Sequence, residues 1–441
     1  MLKNKISILT AGLALLCLCC CKPKAEPRPD YTVPVPEQVV MYQVNPRVFA
    51  DSASLLAVIP QLDSIRSLGA NVVWIMPIYP IGQVKSKNSP YSISDYTAVS
   101  PEFGSLDDFK ALVDGCHSRG MAFIMDWVAN HTAWDSKWMA EGHEDYYTHD
   151  ANGEIIYPAG TDWTDVADLD YDNPEMRRRM IESMLFWIKE CGVDGFRCDV
   201  ADEVPADFWK QCIDILRAEA GHPILMLAEG HKEENFTSGF DLNYAWEYLN
   251  ALRDVFCRDS SARLLLKVEE EEYAHVPSGK LKLRFTTNHD EATKRSTVDE
   301  FGGKQGALAA YAAAVFMDGA ALVYGEQEVA YPDKINFFNY VPVDWSANPD
   351  VRGEYRQMLH IFSENPSIHG PDMKSFSTDD VLMLEKAGEY LVVVNVRPEG
   401  RTIAAPEGWK GVSAHDLRSG EKITLGEDIA LSEYQYMLLK K

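Results

Sequence analysis

Four acidic residues of this chain each follow a short apolar run: Asp126, Asp199, Glu229 and Asp290. Runs of this kind are typical of buried parallel strands, whose carboxyl ends converge on one mouth when the sheet closes into a barrel. The pattern therefore predicts that these carboxylates lie close together. Two or three carboxylates around one site are the groups that cleave a glycosidic bond.

The elements that must position these acids alternate between strand-like and helix-like stretches over residues 37–366. Eight such runs predict an α/β fold, a (β/α)8 TIM barrel. The main alternative is a doubly wound sheet, which is expected to carry a glycine-rich turn after its first strand, and the chain has Gln43–Arg47 there. The predicted strands are Val39–Val44, Asn71–Met76, Ala122–Asp126, Gly195–Asp199, Ile224–Glu229, Gly239–Leu242, Leu283–Asn288 and Ala320–Tyr324.

Two regions lie outside the barrel pattern. Residues 132–173 are rich in Trp, Tyr, Asp and Gly and are too long for an ordinary connection, which predicts a small subdomain inserted after strand 3. Residues 367–441 carry short strand-like runs separated by turn residues, which predicts a C-terminal antiparallel β-sandwich domain. The runs in it are Val381–Glu385, Tyr390–Val396, Arg401–Ala404, Lys422–Leu425 and Gln435–Leu439.

The N-terminus has the pattern of an export signal. Lysines precede an apolar stretch from Ile6 to Leu18, so residues 1–20 are predicted to be a lipoprotein-type signal peptide with Cys21 as the lipidated residue. The alternative is a simple cleaved signal. Residues 21–36 are Pro-rich and polar, which predicts a linker. The expected location is a bacterial membrane, periplasmic or at the cell surface, reached through the lipid anchor alone.

The formal net charge of −25 argues against nucleic acid or anionic lipid as a partner. It is compatible with a neutral substrate such as a sugar polymer, although a solvated acidic surface is the more common explanation of such a charge. Of the nine cysteines, four lie at or before residue 21, and the remaining five are odd in number and widely spaced. We therefore predict neither a disulfide framework nor a zinc site, since no CxxC or HExxH pattern is present.

Side chains alternate along a strand, so Arg197 and Asp199 are expected to share one face while Cys198 points to the other. An arginine lowers the pKa of a neighbouring carboxyl, which predicts an ionised Asp199 suited to nucleophilic attack. Glu229 follows a run of Leu, Met, Leu and Ala, and apolar surroundings raise a carboxyl pKa, as a general acid requires. For any one of these acids alone, a helix cap or a salt bridge is an equal explanation.

Seven motifs together resemble those of the α-amylase family, the retaining α-glucoside hydrolases of glycoside hydrolase family 13, and occur in that family's order. The resemblance covers residues 37–441 and implies the same barrel, insertion and C-terminal β-domain. The motifs are Tyr91–Tyr96, Asp126–His131, Asp168–Pro174, Gly195–Asp199, Ala228–Gly230, Thr287–Asp290 and Tyr324–Glu326.

By this resemblance Asp199 is the nucleophile, Glu229 is the general acid/base and Asp290 stabilises the oxocarbenium-like transition state. It also implies substrate-binding residues, namely Tyr91, His131, Arg197 and His289, and structural supports, namely Asp126 and Asn130. Further aromatic residues are candidates either for sugar subsites or for ordinary packing: Trp134, Trp138, Tyr157, Trp163, Phe337 and Phe338.

The chain departs from the family pattern in two places. Asp202-Glu203 stands where α-amylases usually carry Lys-His, and the segment is more similar to the neopullulanase and cyclomaltodextrinase branch. Gly230-His231 follows the predicted general acid where many relatives have bulkier residues, which predicts a more open acceptor side. The calcium loop of some relatives is also missing, so we expect no required cofactor, with a structural calcium ion as the alternative.

These observations predict an enzyme, a glycosidase that cleaves α-1,4 bonds of starch-derived glucans or maltooligosaccharides by double displacement. One alternative is an α-glucanotransferase or isomerase that uses the same covalent intermediate. Another is a non-catalytic sugar-binding barrel, and the presence of all three acids argues against it.

Overall fold

The computed structural model describes residues 31–441. Eight parallel strands in it close a barrel, and a two-stranded antiparallel hairpin lies between the third and fourth barrel strands. In chain order the strands up to residue 324 are β1 (Val40–Val44), β2 (Val72–Ile75), β3 (Ala122–Val128), β4 (His131–Ala133), β5 (Val166–Asp168), β6 (Gly195–Asp199), β7 (Leu225–Ala228), β8 (Leu242–Tyr244), β9 (Leu281–Arg284) and β10 (Ala320–Tyr324). Around the barrel the order is β1, β10, β9, β8, β7, β6, β3 and β2.

Helices connect the barrel strands and cover their outer faces. They are α1 (Ser54–Val58), α2 (Leu62–Ser67), α3 (Leu106–His117), α4 (Lys137–Ala140), α5 (Pro174–Cys191), α6 (Ala206–Glu219), α7 (Glu234–Ser238), α8 (Trp246–Cys257), α9 (Arg263–Tyr273), α10 (His289–Ala292), α11 (Thr297–Glu300), α12 (Gly303–Val315) and α13 (Pro349–Glu364). Helix α5 shows how the sequence sets their ends. The Asn173 side chain accepts hydrogen bonds from the first turn, a proline follows, and Gly192 ends the helix in the left-handed region.

The register of the strands brings the polar residues to one level. Asp126 of β3 pairs with Arg197 of β6, and Val128 pairs with Asp199. Cys198 of β6 pairs with Ala228, the last residue of β7, so Glu229 follows at the level of Asp199. The barrel strands therefore deliver three acids and one arginine to the same end.

The C-terminal region forms two antiparallel sheets. Its strands are β11 (Met373–Ser375), β12 (Val381–Lys386), β13 (Tyr390–Asn395), β14 (Arg401–Ala404), β15 (Ser413–Asp416), β16 (Lys422–Thr424), β17 (Asp428–Leu431) and β18 (Tyr436–Lys440). The six-stranded sheet has the order β11, β12, β13, β18, β15, β16, and β14 pairs with β17. A separate apolar cluster that includes Trp409, Val393 and Leu439 lies between them.

The predicted fold class is confirmed: a TIM barrel with an insertion after its third strand and a C-terminal β-domain. The strand limits differ most at the seventh barrel strand, which ends at Arg284 and not at Asn288, because the Asn288 side chain caps α10. The structure also contains five short strands that the sequence did not predict, β4, β5, β11, β15 and β17. Strands β4 and β5 have only three residues each, β11 and β15 are largely polar, and β17 alternates exposed and buried residues over four positions, so none has the apolar run of a buried strand.

The predicted signal peptide and Cys21 lie outside the described residues. The described end of the linker contacts the base of the barrel, where the Tyr31 hydroxyl donates to Asp194 Oδ1 at 2.7 Å and the ring stacks on His117. Within residues 31–441, no helix combines the length and apolarity that a bilayer crossing requires.

Candidate active site

The predicted carboxylates meet at the C-terminal mouth of the barrel. Asp199 is the last residue of β6, and Glu229 directly follows β7. Asp126 lies deeper, at the level of Arg197. Asp290 lies in the first turn of α10, where the Asn288 side chain accepts a hydrogen bond from its N–H at 3.0 Å.

One buried arginine joins three of these carboxylates. Arg197 Nη1 donates to Asp126 Oδ1 and to Asp199 Oδ1, both at 2.8 Å. Its Nη2 lies 2.9 Å from Glu229 Oε2, close enough for an ion pair but outside hydrogen-bond geometry. Its Nε donates to the Tyr244 hydroxyl at 3.1 Å. Arg197 therefore fixes the positions of both predicted catalytic acids.

Burial controls the protonation of these carboxyls. It raises the pKa of Asp199 to about 7 and that of Glu229 to about 8, although Arg197 opposes the change in both. The raised pKa of Glu229 is in the predicted direction. The prediction for Asp199 was wrong, because burial outweighs the lowering by the arginine. Both carboxyls therefore hold their protons to a higher pH than free side chains do.

A strained turn holds Glu229 against the end of β6. Val200 has φ 36° and ψ 48°, a left-handed conformation that β-branched residues rarely adopt. Its N–H donates to Glu229 Oε2 at 2.8 Å, and the N–H of Ala201 donates to the Glu229 carbonyl at 3.0 Å. The turn thus orients the side chain as well as the backbone of the predicted acid.

His289 belongs to a chain of hydrogen bonds that ends at Asp126. Gln43 Nε2 lies 2.7 Å from His289 Nδ1 and donates to it, which leaves the ring proton on Nε2. His289 Nε2 lies 2.6 Å from the Tyr91 hydroxyl, which is 3.3 Å from Asp126 Oδ2. Burial lowers the pKa of His289 to about 4, so the ring is neutral at pH 7.

His131 is the second buried histidine of the mouth. Its Nδ1 lies 3.3 Å from Asn130 Nδ2, and the Trp163 ring packs edge-on at 5.6 Å. Burial lowers its pKa to about 4, against the opposing charge of Asp165. Both histidines are therefore uncharged at pH 7.

These groups surround a cavity of about 380 Å³ at the barrel mouth. Such a volume lies near the lower end of the range for small-molecule sites. Its lining residues are Lys87, Ser89, Tyr91, His131, Trp163, Asp165, Val166, Asp199, Val200, Glu229, His289, Asp290, Phe337 and Phe338.

The structure places the predicted site residues in two layers. Six line the cavity: Asp199, Glu229, Asp290, Tyr91, His131 and His289. Three are buried beneath it: Arg197, Asp126 and Asn130. Of the aromatic candidates, Trp163, Phe337 and Phe338 line the cavity, whereas Trp138 packs between Tyr96 and Tyr146, and Tyr157 is exposed.

A model of the α-amylase catalytic domain matches residues 43–378, a span that contains every cavity residue. The chain belongs to the α-amylase family. It is 25% identical to α-amylase MalA of Haloarcula japonica over 407 residues, which are 87% of this chain and 59% of that protein. It is 33% identical to an oligo-1,6-glucosidase of Parageobacillus thermoglucosidasius over 38% of this chain and 35% of that protein. The chain thus spans less than two thirds of these relatives.

Solved α-amylase structures match nearly the whole chain. An α-amylase from Lactobacillus plantarum superposes with a TM-score of 0.82 at 26% identity, covering 92% of this chain and 99% of that one. A maltogenic α-amylase from Thermotoga neapolitana superposes with a TM-score of 0.81 at 25% identity and the same coverage.

The two departures from the family pattern form one structural unit in this α-amylase family member. The Asp202 carboxylate accepts from Asn235 Nδ2 at 2.7 Å and from the His231 N–H at 3.0 Å. A Cβ on Gly230 would lie 2.2 Å from Asp202 Oδ1. In this position the Asp202 carboxylate therefore leaves no room for a side chain at residue 230.

Several residues of the site were not singled out from the sequence. Gln43 Nε2 donates to His289 Nδ1, and Trp74 Nε1 donates to Asp126 Oδ2 at 3.1 Å. Lys87 and Asp165 form an ion pair in the cavity wall. Gln43 and Trp74 lie in predicted barrel strands near their C-terminal ends, a position that could have marked them. Lys87 and Asp165 lie in irregular segments, where no such signal exists.

Proposed function

We propose that the protein is a retaining α-glucoside hydrolase that cleaves α-1,4-glucosidic bonds of starch-derived glucans or maltooligosaccharides by double displacement. The observation that carries the proposal is the pair Asp199 and Glu229, both held by Arg197 at the C-terminal mouth of the barrel. The names of the matched relatives, α-amylase and oligo-1,6-glucosidase, support the α-glucan substrate class.

In the first step Asp199 attacks the anomeric carbon. Arg197 holds Oδ1, which leaves Oδ2 for the new C–O bond. The glycosidic C–O bond breaks, and Glu229 transfers its proton to the leaving oxygen. In the second step Glu229 takes a proton from water, whose oxygen displaces the Asp199 carboxylate and releases the sugar with its α-configuration retained.

Other groups bind and position the sugar. The side chain of Asp290 is 40% exposed in the cavity, where its charge stabilises the developing oxocarbenium ion. The neutral ring of His131 hydrogen-bonds a sugar hydroxyl, and His289 orients Tyr91 through the hydrogen bond between its Nε2 and the Tyr91 hydroxyl. Tyr91 offers an aromatic surface to the apolar face of the ring.

The proposal is tested with maltoheptaose. Asp199→Asn and Glu229→Gln are expected to lower kcat at least about a thousandfold while binding is largely retained, because each removes a group that acts in the transition state. The matched control is Asp214→Asn, an exposed acid on α6, which leaves the rate unchanged. Turnover by Asp199→Asn close to that of the wild type would contradict the proposed nucleophile.

We also propose that activity needs no metal ion. The sequence lacks the aspartate- and glycine-rich calcium loop of some relatives after the first strand, which supports this proposal. Activity on maltoheptaose is therefore expected to survive EDTA. Activity that disappears in EDTA and returns with calcium would contradict this.

Finally, we propose that the protein is an exported lipoprotein anchored through Cys21. The motif from Leu18 to Cys21 supports this. Palmitate labelling should mark the wild type and not Cys21→Ala, and an unlabelled wild type would rule the anchor out.

A further inference from the structure

One half of the cavity rim is closed by a segment that follows β2. We call residues 83–90 the rim segment. On one side, Lys87 Nζ forms an ion pair with Asp165 Oδ1 at 3.1 Å and donates to the Asp162 carbonyl at 3.3 Å. On the other side, Asn88 Nδ2 donates to the Phe338 carbonyl at 2.7 Å. The rim segment therefore joins the insertion after β3 to the segment after β10.

The base of the rim segment is fixed as well. The N–H groups of Gln83 and Val84 both donate to Asp135 Oδ2, at 2.8 and 3.2 Å. Arg47 Nη1 donates to the Asn88 carbonyl at 3.3 Å. The Asp165 side chain is only 9% exposed, so its pairing with Lys87 is partly shielded from solvent and screened less than a surface pair.

The two halves of the mouth are unequal. The closed half lies over β10, β1, β2 and β3, which are neighbours in the barrel. Over β6 to β9 on the opposite side, the residues of the described part of the chain that line the cavity all lie within six residues of a strand end: Asp199, Val200, Glu229, His289 and Asp290. A ligand can therefore extend out of the cavity past Glu229, whereas the rim segment blocks the other direction.

The proposed mechanism assigns each of these two directions to one part of the substrate. The general acid must lie beside the leaving oxygen, so the leaving part of the glucan passes Glu229 toward the open half. The sugar that bonds to Asp199 then faces Lys87 and Asp165. In an α-1,4-glucan the bond at the anomeric carbon of that sugar is the one that breaks. The part of the chain that stays attached to the sugar therefore leads toward the non-reducing end.

We propose that the rim segment ends the donor side of the cleft, so that the enzyme acts from the non-reducing chain end and releases a short sugar of fixed length. This inference rests on the proposed glucosidase activity. Lys87 and Asp165 place an ammonium group and a carboxylate at this end of the cavity, where they can hydrogen-bond the hydroxyls of the terminal sugar. The volume of about 380 Å³ matches a short donor portion.

The test compares two forms of maltoheptaose, both with a fluorescent label at the reducing end. One has a free non-reducing end, and in the other a cyclic acetal blocks O4 and O6 of the terminal glucose. The wild type is expected to convert the free form first to a single shortened labelled product and to leave the blocked form uncleaved. Equal cleavage of both forms, or labelled first products of many lengths, would overturn the proposal. Turnover of neither form would instead contradict the glucosidase activity itself.

A variant in which the rim segment loses its attachments tests whether this segment ends the donor side of the cleft. Lys87→Ala combined with Asn88→Ala removes its attachments to Asp165 and Phe338 while leaving Asp199 and Glu229 in place. We expect KM for the free form to rise about tenfold, because a charged hydrogen-bonding group is lost, and the blocked form to become a substrate. Lys210→Ala, an exposed lysine on α6, is the matched control. A double variant with wild-type KM and no cleavage of the blocked form would contradict a role of the rim segment.

Discussion

At the residue scale, the site is governed by one positive charge among three buried carboxyls. Nitrogen atoms of Arg197 lie 2.8 or 2.9 Å from Asp126, Asp199 and Glu229. If all three were ionised, a net negative charge would be buried, which is costly. Burial accordingly raises the pKa of Asp126 to about 6, that of Asp199 to about 7 and that of Glu229 to about 8. All three carboxyls therefore hold their protons to a higher pH than free side chains do.

The raised pKa values of the Asp199 and Glu229 pair predict the pH dependence of kcat/KM. Activity needs an ionised Asp199 and a protonated Glu229, so it rises as pH passes about 7 and falls as pH passes about 8. The two groups titrate as a pair, and the limbs report the pair. A pH series with maltoheptaose measures this, and a rate that rises steadily to pH 10 would contradict Glu229 as the acid.

The charge of Asp290 allows a test of whether neighbouring charges contribute to the raised pKa values of Asp199 and Glu229. It raises the pKa of both Asp199 and Glu229. Neutralising it in Asp290→Asn favours their ionised forms, so both limbs of the residual activity shift to lower pH.

The raised pKa values of Asp199 and Glu229 also reduce folding stability as pH rises toward 8, because the unfolded chain releases these protons at lower pH.

The acids and Arg197 could be predicted at this scale because each stands in a short motif on a recognisable strand. The pKa of Asp199 could not, since two neighbours in sequence do not reveal how completely the fold excludes water. Gln43 contacts His289 across the barrel, and Lys87 contacts Asp165 across the mouth. Such pairs depend on the closure of the whole barrel.

At the element scale, the site depends on close contact between β6 and β7. Gly195 opens β6 with φ 145°, and a Cβ there would lie 1.9 Å from the Leu225 carbonyl oxygen. The residue at this point must therefore lack a side chain. The contact sets the register that places Asp199 beside Glu229.

Gly195→Ala is expected to lower the free energy of unfolding by about 3 kcal/mol or more, because the new methyl group meets backbone and the φ angle disfavours any side chain. Urea denaturation measures the change. The matched control is Gly353→Ala on the exposed face of α13, where a Cβ meets nothing within 4 Å. This control should be stabilising by about 0.5–1 kcal/mol. Equal stability of the two variants would contradict the role given to Gly195.

The regular elements were predictable where burial imposes an apolar pattern. The limits of β6 and β10 agree with the sequence prediction, because both strands are buried over their whole length. Strand β17 alternates exposed and buried residues over only four positions, too few for a clear period. The left-handed turn at Val200 had no sequence signal, since valine disfavours that conformation.

At the scale of the whole molecule, one buried arginine joins the C-terminal sheets to the barrel. Arg397 follows β13, and its guanidinium donates to the carbonyls of Val255 at 2.5 Å and Ser260 at 2.7 Å, both in the barrel domain. It also donates to Asp380 Oδ1 at 2.8 Å in its own domain. Arg397 thereby links helix α8 and the connection after it to the C-terminal β-domain.

Arg397→Ala should lower the free energy of unfolding by about 3 kcal/mol, because several buried acceptors lose their donor. Arg401→Ala is a fair control, since Arg401 donates to the other oxygen of Asp380 at 2.9 Å but is partly exposed. Its loss should cost less than about 1 kcal/mol. Urea denaturation compares the two, and a larger loss for Arg401→Ala would contradict this account of the interface.

The barrel, the insertion and the β-domain were predictable at this scale because each has its own pattern of apolar residues. The contacts between these regions were not predictable, because nothing in the sequence around Arg397 indicates that its partners lie in α8 and in the connection after it.

The central claim, that Asp199 attacks the anomeric carbon and is displaced by water, is tested most directly by the configuration of the first product. Proton NMR can follow the anomeric signals of freshly released sugar from maltoheptaose before mutarotation equilibrates them. Double displacement predicts that the α-anomer appears first. If the β-anomer appears first, water attacks directly and Asp199 is not the nucleophile.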